Sequence, residues 1–158
     1  MLVTKEPIVV QIRHAKIEDL GALLELLPQL TSRPESAGAK VPDRRTALDI
    51  LTKMIENPYH HLLVAVETEN LKVIGSVTLT ITLNLTYGGR PRADIEGMIV
   101  HQDYRRLGVG TRLVRHAESL ASNCYREQVV SGNKPEQLAF YKSLGFDTDG
   151  YVAHRKYP

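Results

Sequence analysis

The sequence predicts an α/β or α+β fold in which helices flank a mixed central sheet, in the order βααβββαβαβ. Three observations lead there. Stretches in which β-branched and other apolar residues recur alternate along the chain with stretches of three-and-four apolar spacing. The later helical stretches are long enough to be the crossovers that parallel neighbours need, while two central strands lie close enough to pair antiparallel. No glycine- or serine-rich linker divides the 158 residues, so one domain over 1–158 is expected.

Ile8 to Arg13 reads as the first strand. From Ile17 to Leu30 the leucines at 20, 23, 24, 27 and 30 mark an amphipathic helix. Thr31 to Pro42 is polar and carries Pro34 and Gly38, as a loop would, and Asp43 then caps a second helix that runs through Asn57 and stops at Pro58. His61 to Glu67 and Val73 to Leu85 are rich in β-branched residues and predict a hairpin turned near Glu69-Asn70. Asn84 to Arg92, with Tyr87-Gly88-Gly89, is a loop placed to overhang a site. Ala93 to Val100 is a fourth strand, and a helix with an apolar stripe from Leu113 to Ala121 follows from Arg112 onward. Gln128 to Val130 is a short fifth strand, Pro135 to Leu144 a helix stopped at Gly145, and Phe146 to Tyr157 a closing strand or pair of short strands.

Composition narrows the function classes. A formal charge of +2 is small for this length, so neither a nucleic-acid nor a membrane footprint is expected despite a pI near 8.7. A single cysteine, Cys124, excludes an intramolecular disulfide, and the N-terminal residues lack the basic-then-apolar layout of a signal peptide, so a cytoplasmic setting is expected. The six histidines show no helix-spaced pairing with a third ligand, and no metal is predicted.

Between the fourth strand and its helix lies Arg105-Arg106-Leu107-Gly108-Val109-Gly110-Thr111. Two glycines one residue apart let backbone N–H groups converge on an anion, and the helix adds its positive end, which suits a diphosphate. A dinucleotide fingerprint would want a third glycine where Leu113 stands, and the Gly-Lys-Ser/Thr of a triphosphate loop is absent. With the pattern Arg-x-x-Gly-x-Gly the chain resembles the GNAT family of acyl-CoA-dependent N-acyltransferases. Ile95 to Val100 is similar to that family's fourth strand, and Phe140-Tyr141 followed by Gly145-Phe146 to its Phe-Tyr-x-x-x-Gly-Phe segment. The motifs run from about Asp94 to Phe146; the first half agrees only in element order.

The resemblance implies a mostly antiparallel sheet whose fourth strand splays from its neighbour, and acetyl-CoA as cosubstrate. It places Arg105 to Thr111 on the pyrophosphate, Met98, Ile99 and Val100 along the pantetheine arm, and Tyr141 at the thioester sulfur. Asn133 would also contact the cofactor, although it lies farther from Tyr141 than the asparagine of many members. A homodimer is expected by the same analogy.

Acyl transfer to an amine needs a base for the ammonium, donors for the carbonyl oxygen and a proton for the departing thiolate. Glu96, on the cofactor-bearing strand, is the expected base, the N–H of Met98 or Val100 the oxyanion donor, and Tyr141 the acid. Phe140 would anchor the core and leave Tyr141 to face the cofactor, since adjacent helical positions point about 100° apart. Arg112 and Arg115 add charge at the helix start, and a basic segment from Thr31 to Arg45 could cover an anionic acceptor. The expected activity is N-acetylation of a small-molecule primary amine in a ternary complex. Protein N-terminal or lysine acetylation and a non-catalytic acyl-CoA-binding domain are the alternatives, and the joint presence of Glu96 and Tyr141 speaks against the last.

Overall fold

Five stretches become strands in the computed structural model, which describes residues 7–30, 41–132 and 134–147. They are β1 (Val10–His14), β2 (His60–Glu67), β3 (Lys72–Thr82), β4 (Arg92–Val100) and β5 (Arg126–Val130). The sheet order is β1-β2-β3-β4-β5; the first four pair antiparallel and β5 lies parallel to β4. That one parallel pairing needs a crossover, supplied by helix α3 (Val109–Leu120). The sheet is thus mixed and mostly antiparallel. The expected closing strand falls mostly outside the described residues, as does most of the expected loop from Thr31.

The first expected helix is broken into three pieces. A 3-10 turn at Ile17–Asp19 leads into α1 (Leu20–Leu26), and a second 3-10 turn covers Leu27–Leu30. Pro28 has no N–H to give and its ring crowds the preceding turn, so the α-helical ladder does not continue through it. Helix α2 (Arg44–Glu56) starts as expected, because the Asp43 carboxylate accepts the otherwise unpaired N–H groups of Arg45 and Thr46 at 3.0 and 3.1 Å. Helix α4 (Pro135–Ser143) has proline in its first turn, where a missing N–H does no harm.

Each face of the sheet buries its own cluster. On one, Val109, Leu113, Val114 and Ala117 of α3 cover Ile74, Val77, Leu79 and Ile95. On the other, Leu20 and Leu23 of α1 with Ala47 and Leu51 of α2 cover Val64, Val66, Val73 and Ile99. Gly75 sets how closely α3 approaches: a Cβ there would stand 3.0 Å from the Ile99 carbonyl oxygen and 3.2 Å from Leu113 Cδ1.

The loop between β3 and β4 does not overhang the site described below. It sits at the N-terminal end of β4, where the Tyr87 ring stacks on Tyr125 with centroids 3.9 Å apart.

Candidate active site

The site begins where two strands part. The β4–β5 ladder runs from Arg92 opposite Arg126 to Glu96 opposite Val130 and stops, while β4 continues to Val100 paired with β3 alone. A β-bulge accompanies the fork. Thr78 pairs with Glu96 and Ser76 with Ile99, so Gly97 and Met98 together oppose Val77. Gly97 has φ +62°, a conformation that a residue without a side chain takes readily. The extra residue shifts the alternation of side chains along β4. Ile95, Met98 and Val100 join the cluster under α3, and Ile99 joins the one under α1 and α2.

Past the fork, one edge of β4 faces a cleft instead of a strand. The His101 N–H reaches back to the Ile74 carbonyl on β3 at 2.8 Å, so alternation turns the N–H and C=O of Val100 toward the cleft. The Val100 carbonyl accepts the Arg105 Nε–H at 3.1 Å, which gives Arg105 a structural task within the loop.

The loop then reverses twice. Arg106 has φ +63° and Gly108 φ +79°, and the helix begins at Val109, not at Arg112 as the apolar stripe suggested. Gly108 takes the left-handed position directly before the first turn, and its carbonyl accepts the Arg112 N–H at 3.1 Å. The N–H groups of Val109, Gly110 and Thr111 therefore belong to the unpaired first turn of α3, where the helix is electropositive. Close packing aligns that turn: a Cβ on Gly110 would lie 3.3 Å from Phe140 Cζ and 3.5 Å from the Met98 sulfur.

Helix α4 closes the far wall. Tyr141 is only 7% exposed and lies in the core cluster, edge-on to Phe140 and Phe146, whereas Phe140 is half-buried. The expected division of labour between these neighbours is thus not kept: both line the cleft, and Tyr141 is the deeper. Burial pushes the Tyr141 phenol up to about 12.

The cleft between these elements has a volume of about 1300 Å³. Met98, Ile99, Val100, Arg105, Arg106, Gly108, Val109, Gly110, Thr111 and Tyr141 all line it, and Leu107 does not. Asn133 lies outside the described residues. Glu96 is exposed at the fork without lining the cleft; Ile95 beside it packs under α3, which puts Glu96 on the opposite face of the sheet, the side of α1 and α2. Among the described residues it has no hydrogen-bond or ion-pair partner, whereas Asp94, two residues earlier, is held by Arg92 and Thr82. Arg112 and Arg115 line a different, shallow groove beside β1, and Arg115 pairs with Glu118 at 2.8 Å. Sequence reasoning missed Gln29, which reaches the cleft from the turn after α1.

These features suit a long ligand with an anionic end and an amide-bearing arm. The first-turn N–H groups of α3 can meet an anion, and the free edge of β4 can pair with amides. No helix among the described residues is long and apolar enough to cross a membrane.

Comparison with known proteins agrees with the geometry. A family model described as Acetyltransferase (GNAT) family matches residues 24–146. The glucosamine 6-phosphate N-acetyltransferase of Trypanosoma brucei brucei is 31% identical over 141 residues, which cover 86% of this chain and 88% of that protein. Among solved structures, a Trypanosoma brucei acetyltransferase superposes with a TM-score of 0.79 at 25% identity, covering 94% of this chain and all of that one. A transcriptional regulator from Bacillus halodurans C-125 superposes with a TM-score of 0.82 at 26% identity, with 94% of this chain and 100% of the other covered.

Proposed function

The chain belongs to the GNAT acetyltransferase family, and from that premise we propose that it moves the acetyl group of acetyl-CoA onto the primary amine of a small molecule. A phosphorylated amino sugar is the first acceptor class to test, in keeping with the similarity to glucosamine 6-phosphate N-acetyltransferases. The observation that carries the reading is the fork at Glu96 and Val130, which opens a cleft with a first-turn N–H cradle at its α3 end, while the Glu96 carboxylate, without a partner among the described residues, stands at the fork on the other face of the sheet.

When bound, acetyl-CoA supplies an acyl group activated as a thioester. The N–H groups of Val109, Gly110 and Thr111 hold the pyrophosphate, with the Arg106 side chain beside them. Met98 and Val100 hold the arm through their backbone groups, and the N–H of Met98 or Val100 is the donor offered to a carbonyl oxygen that gains negative charge. Glu96 accepts the proton of the acceptor's ammonium group, directly or through water, so that a neutral amine attacks.

Tyr141 acts as a hydrogen-bond donor to the sulfur. With its pKa near 12, complete transfer to a thiolate whose conjugate acid titrates near 8.5 would be uphill by about 3.5 units, or roughly 5 kcal/mol. A hydrogen bond to the developing charge carries no such penalty, and as the C–S bond breaks the thiolate takes up the proton that the attacking nitrogen sheds on becoming an amide, so the thiol leaves neutral. A cytoplasmic setting, a homodimer and one catalytic domain over 1–158 complete the proposal.

Calorimetric titration with acetyl-CoA, with ATP and NAD as controls, tests the cofactor. Coenzyme A release with glucosamine 6-phosphate against unphosphorylated glucosamine tests the acceptor. Selective acetyl-CoA binding with faster release for the phosphorylated sugar is expected; absence of acetyl-CoA binding overturns the reading.

A further inference from the structure

Gln29 follows α1, yet its side chain reaches the backbone just past the end of β4. Its Oε1 accepts the Gln102 N–H at 3.1 Å, and the residue lines the cleft. Gln102 opens a 3-10 turn (Gln102–Tyr104) just past the end of β4, so the Gln29 amide takes up the N–H at which the strand has given way to the turn. At the last strand residue the Val100 carbonyl is already taken by Arg105 Nε. Side chains thus end the exposed ladder, and Met98 with the Val100 N–H remains for a ligand.

A carboxamide that accepts through oxygen still has two N–H donors. Those of Gln29 have no hydrogen-bond partner among the described residues, and their amide is anchored at the cleft wall. We infer that Gln29, in the turn after α1, is a cofactor-binding residue contributed by the first half of the chain, donating from Nε2 to an amide carbonyl of the pantetheine arm where the β4 edge can no longer pair with it. The inference rests on the acetyl-CoA reading above. It gives the turn after α1 a direct part in holding the cofactor, and it ties that turn to the loop that leads into the arginines.

The test is calorimetry on the full chain with two ligands: acetyl-CoA, and 3′-phosphoadenosine 5′-diphosphate, which keeps the nucleotide end and lacks the arm. Gln29→Ala and the shape-conserving Gln29→Met both remove the donor, and thermal melting verifies that each variant is folded. Acetyl-CoA affinity should fall about tenfold in both, as loss of one well-placed hydrogen bond does, while affinity for the nucleotide fragment stays at the wild-type value. Equal losses for both ligands would mean that Gln29 only shapes the loop, and wild-type affinity in Gln29→Met would mean that it only packs; either result overturns the inference. A wild-type protein that takes the fragment but not acetyl-CoA would instead defeat the cofactor reading itself.

Discussion

Glu96 and Val130 form the last rung between β4 and β5, and Gly97, the next residue, turns into the left-handed region at φ +62°. Fork and bulge share one residue. Gly97 has no atom within 4 Å of where a Cβ would stand, so Gly97→Ala meets no clash and its whole effect is conformational. An L-residue held there costs about 1–2 kcal/mol. Urea unfolding should show a loss of that size, and acetyl-CoA affinity should fall as the edge of β4 shifts. Unchanged stability and affinity together would mean that the bulge does not set the fork.

Removing the charge of Glu96 while keeping its shape separates proton acceptance from cofactor binding. Glu96 stands outside the cleft lining and has no partner among the described residues. Glu96→Gln should therefore leave acetyl-CoA affinity unchanged while turnover drops roughly a hundredfold or more, as loss of a positioned general base does. Steady-state rates paired with calorimetry decide it, and a variant with full turnover would remove Glu96 from the base role.

Local chemistry explains which parts of this molecule were legible in its sequence. Asp43 announces α2 because a carboxylate before a helix answers N–H groups two and three residues on, and Pro58 and Gly145 lie just past the ends of α2 and α4. The strands showed in runs such as Thr78 to Thr82, where alternation survives. The start of α3 is hidden in the sequence because Val109 to Thr111 look like loop glycine chemistry, and the φ of +79° at Gly108 that opens the helix leaves no local signal. Pro28 carried the break after α1, although the leucine spacing runs through it without interruption. Gly97 inside a strand was a bulge signature, hidden by the apolar run around it. Gln29 gave no local sign, since its partner Gln102 lies 73 residues away.

Two glycines beside the same helix should fail for different reasons. At Gly75 an added Cβ would crowd the Ile99 carbonyl on β4 at 3.0 Å and Leu113 Cδ1 of α3 at 3.2 Å, so Gly75→Ala strains the contact of α3 with the sheet and should cost about 1–3 kcal/mol of stability. Gly108 has open space around its missing Cβ, and its requirement is the φ of +79°. Gly108→Ala should therefore weaken acetyl-CoA binding by distorting the cradle, with a stability loss of only about 1–2 kcal/mol. If calorimetry finds the affinity of Gly108→Ala unaltered, the anion cradle lies elsewhere.

The Arg13–Asp19 pair makes acid stability a readout of the turn into α1. Arg13 Nη1 lies 2.7 Å from Asp19 Oδ2, an oxygen that also accepts the Lys16 N–H at 2.7 Å. Burial works to raise the Asp19 pKa, but the Arg13 hydrogen bond and charge, with the Lys16 N–H, outweigh it and the net displacement is downward. A depressed carboxylate stabilises the fold above its unfolded pKa of about 3.9, and that contribution is lost as pH falls through the folded value. Asp19→Asn should cost about 2–3 kcal/mol at neutral pH, with the deficit shrinking below about pH 4. Urea midpoints of both proteins across that range check it; a deficit independent of pH would assign the effect to packing.

Tyr141 places the opposite end of the pH scale under the control of one buried phenol. Its pKa of about 12 exceeds the ordinary value near 10, because burial disfavours the phenolate. Below about pH 10 both folded and unfolded chains keep the proton, so the contribution is fully present there; above it the unfolded chain ionises first, and stability is lost as pH rises through the folded value. A displacement of about 2 units corresponds to at most about 3 kcal/mol. Tyr141→Phe should lose less stability between about pH 9 and about pH 11.5 than wild type does, and its absorbance titration should lack a phenolate that forms at about pH 12. At neutral pH the same variant should slow turnover more than it weakens acetyl-CoA binding, since the hydroxyl is needed only as charge reaches the sulfur. A normal phenol titration for Tyr141 would show that water reaches it freely, and the dry, protonated donor assigned to the sulfur would not exist.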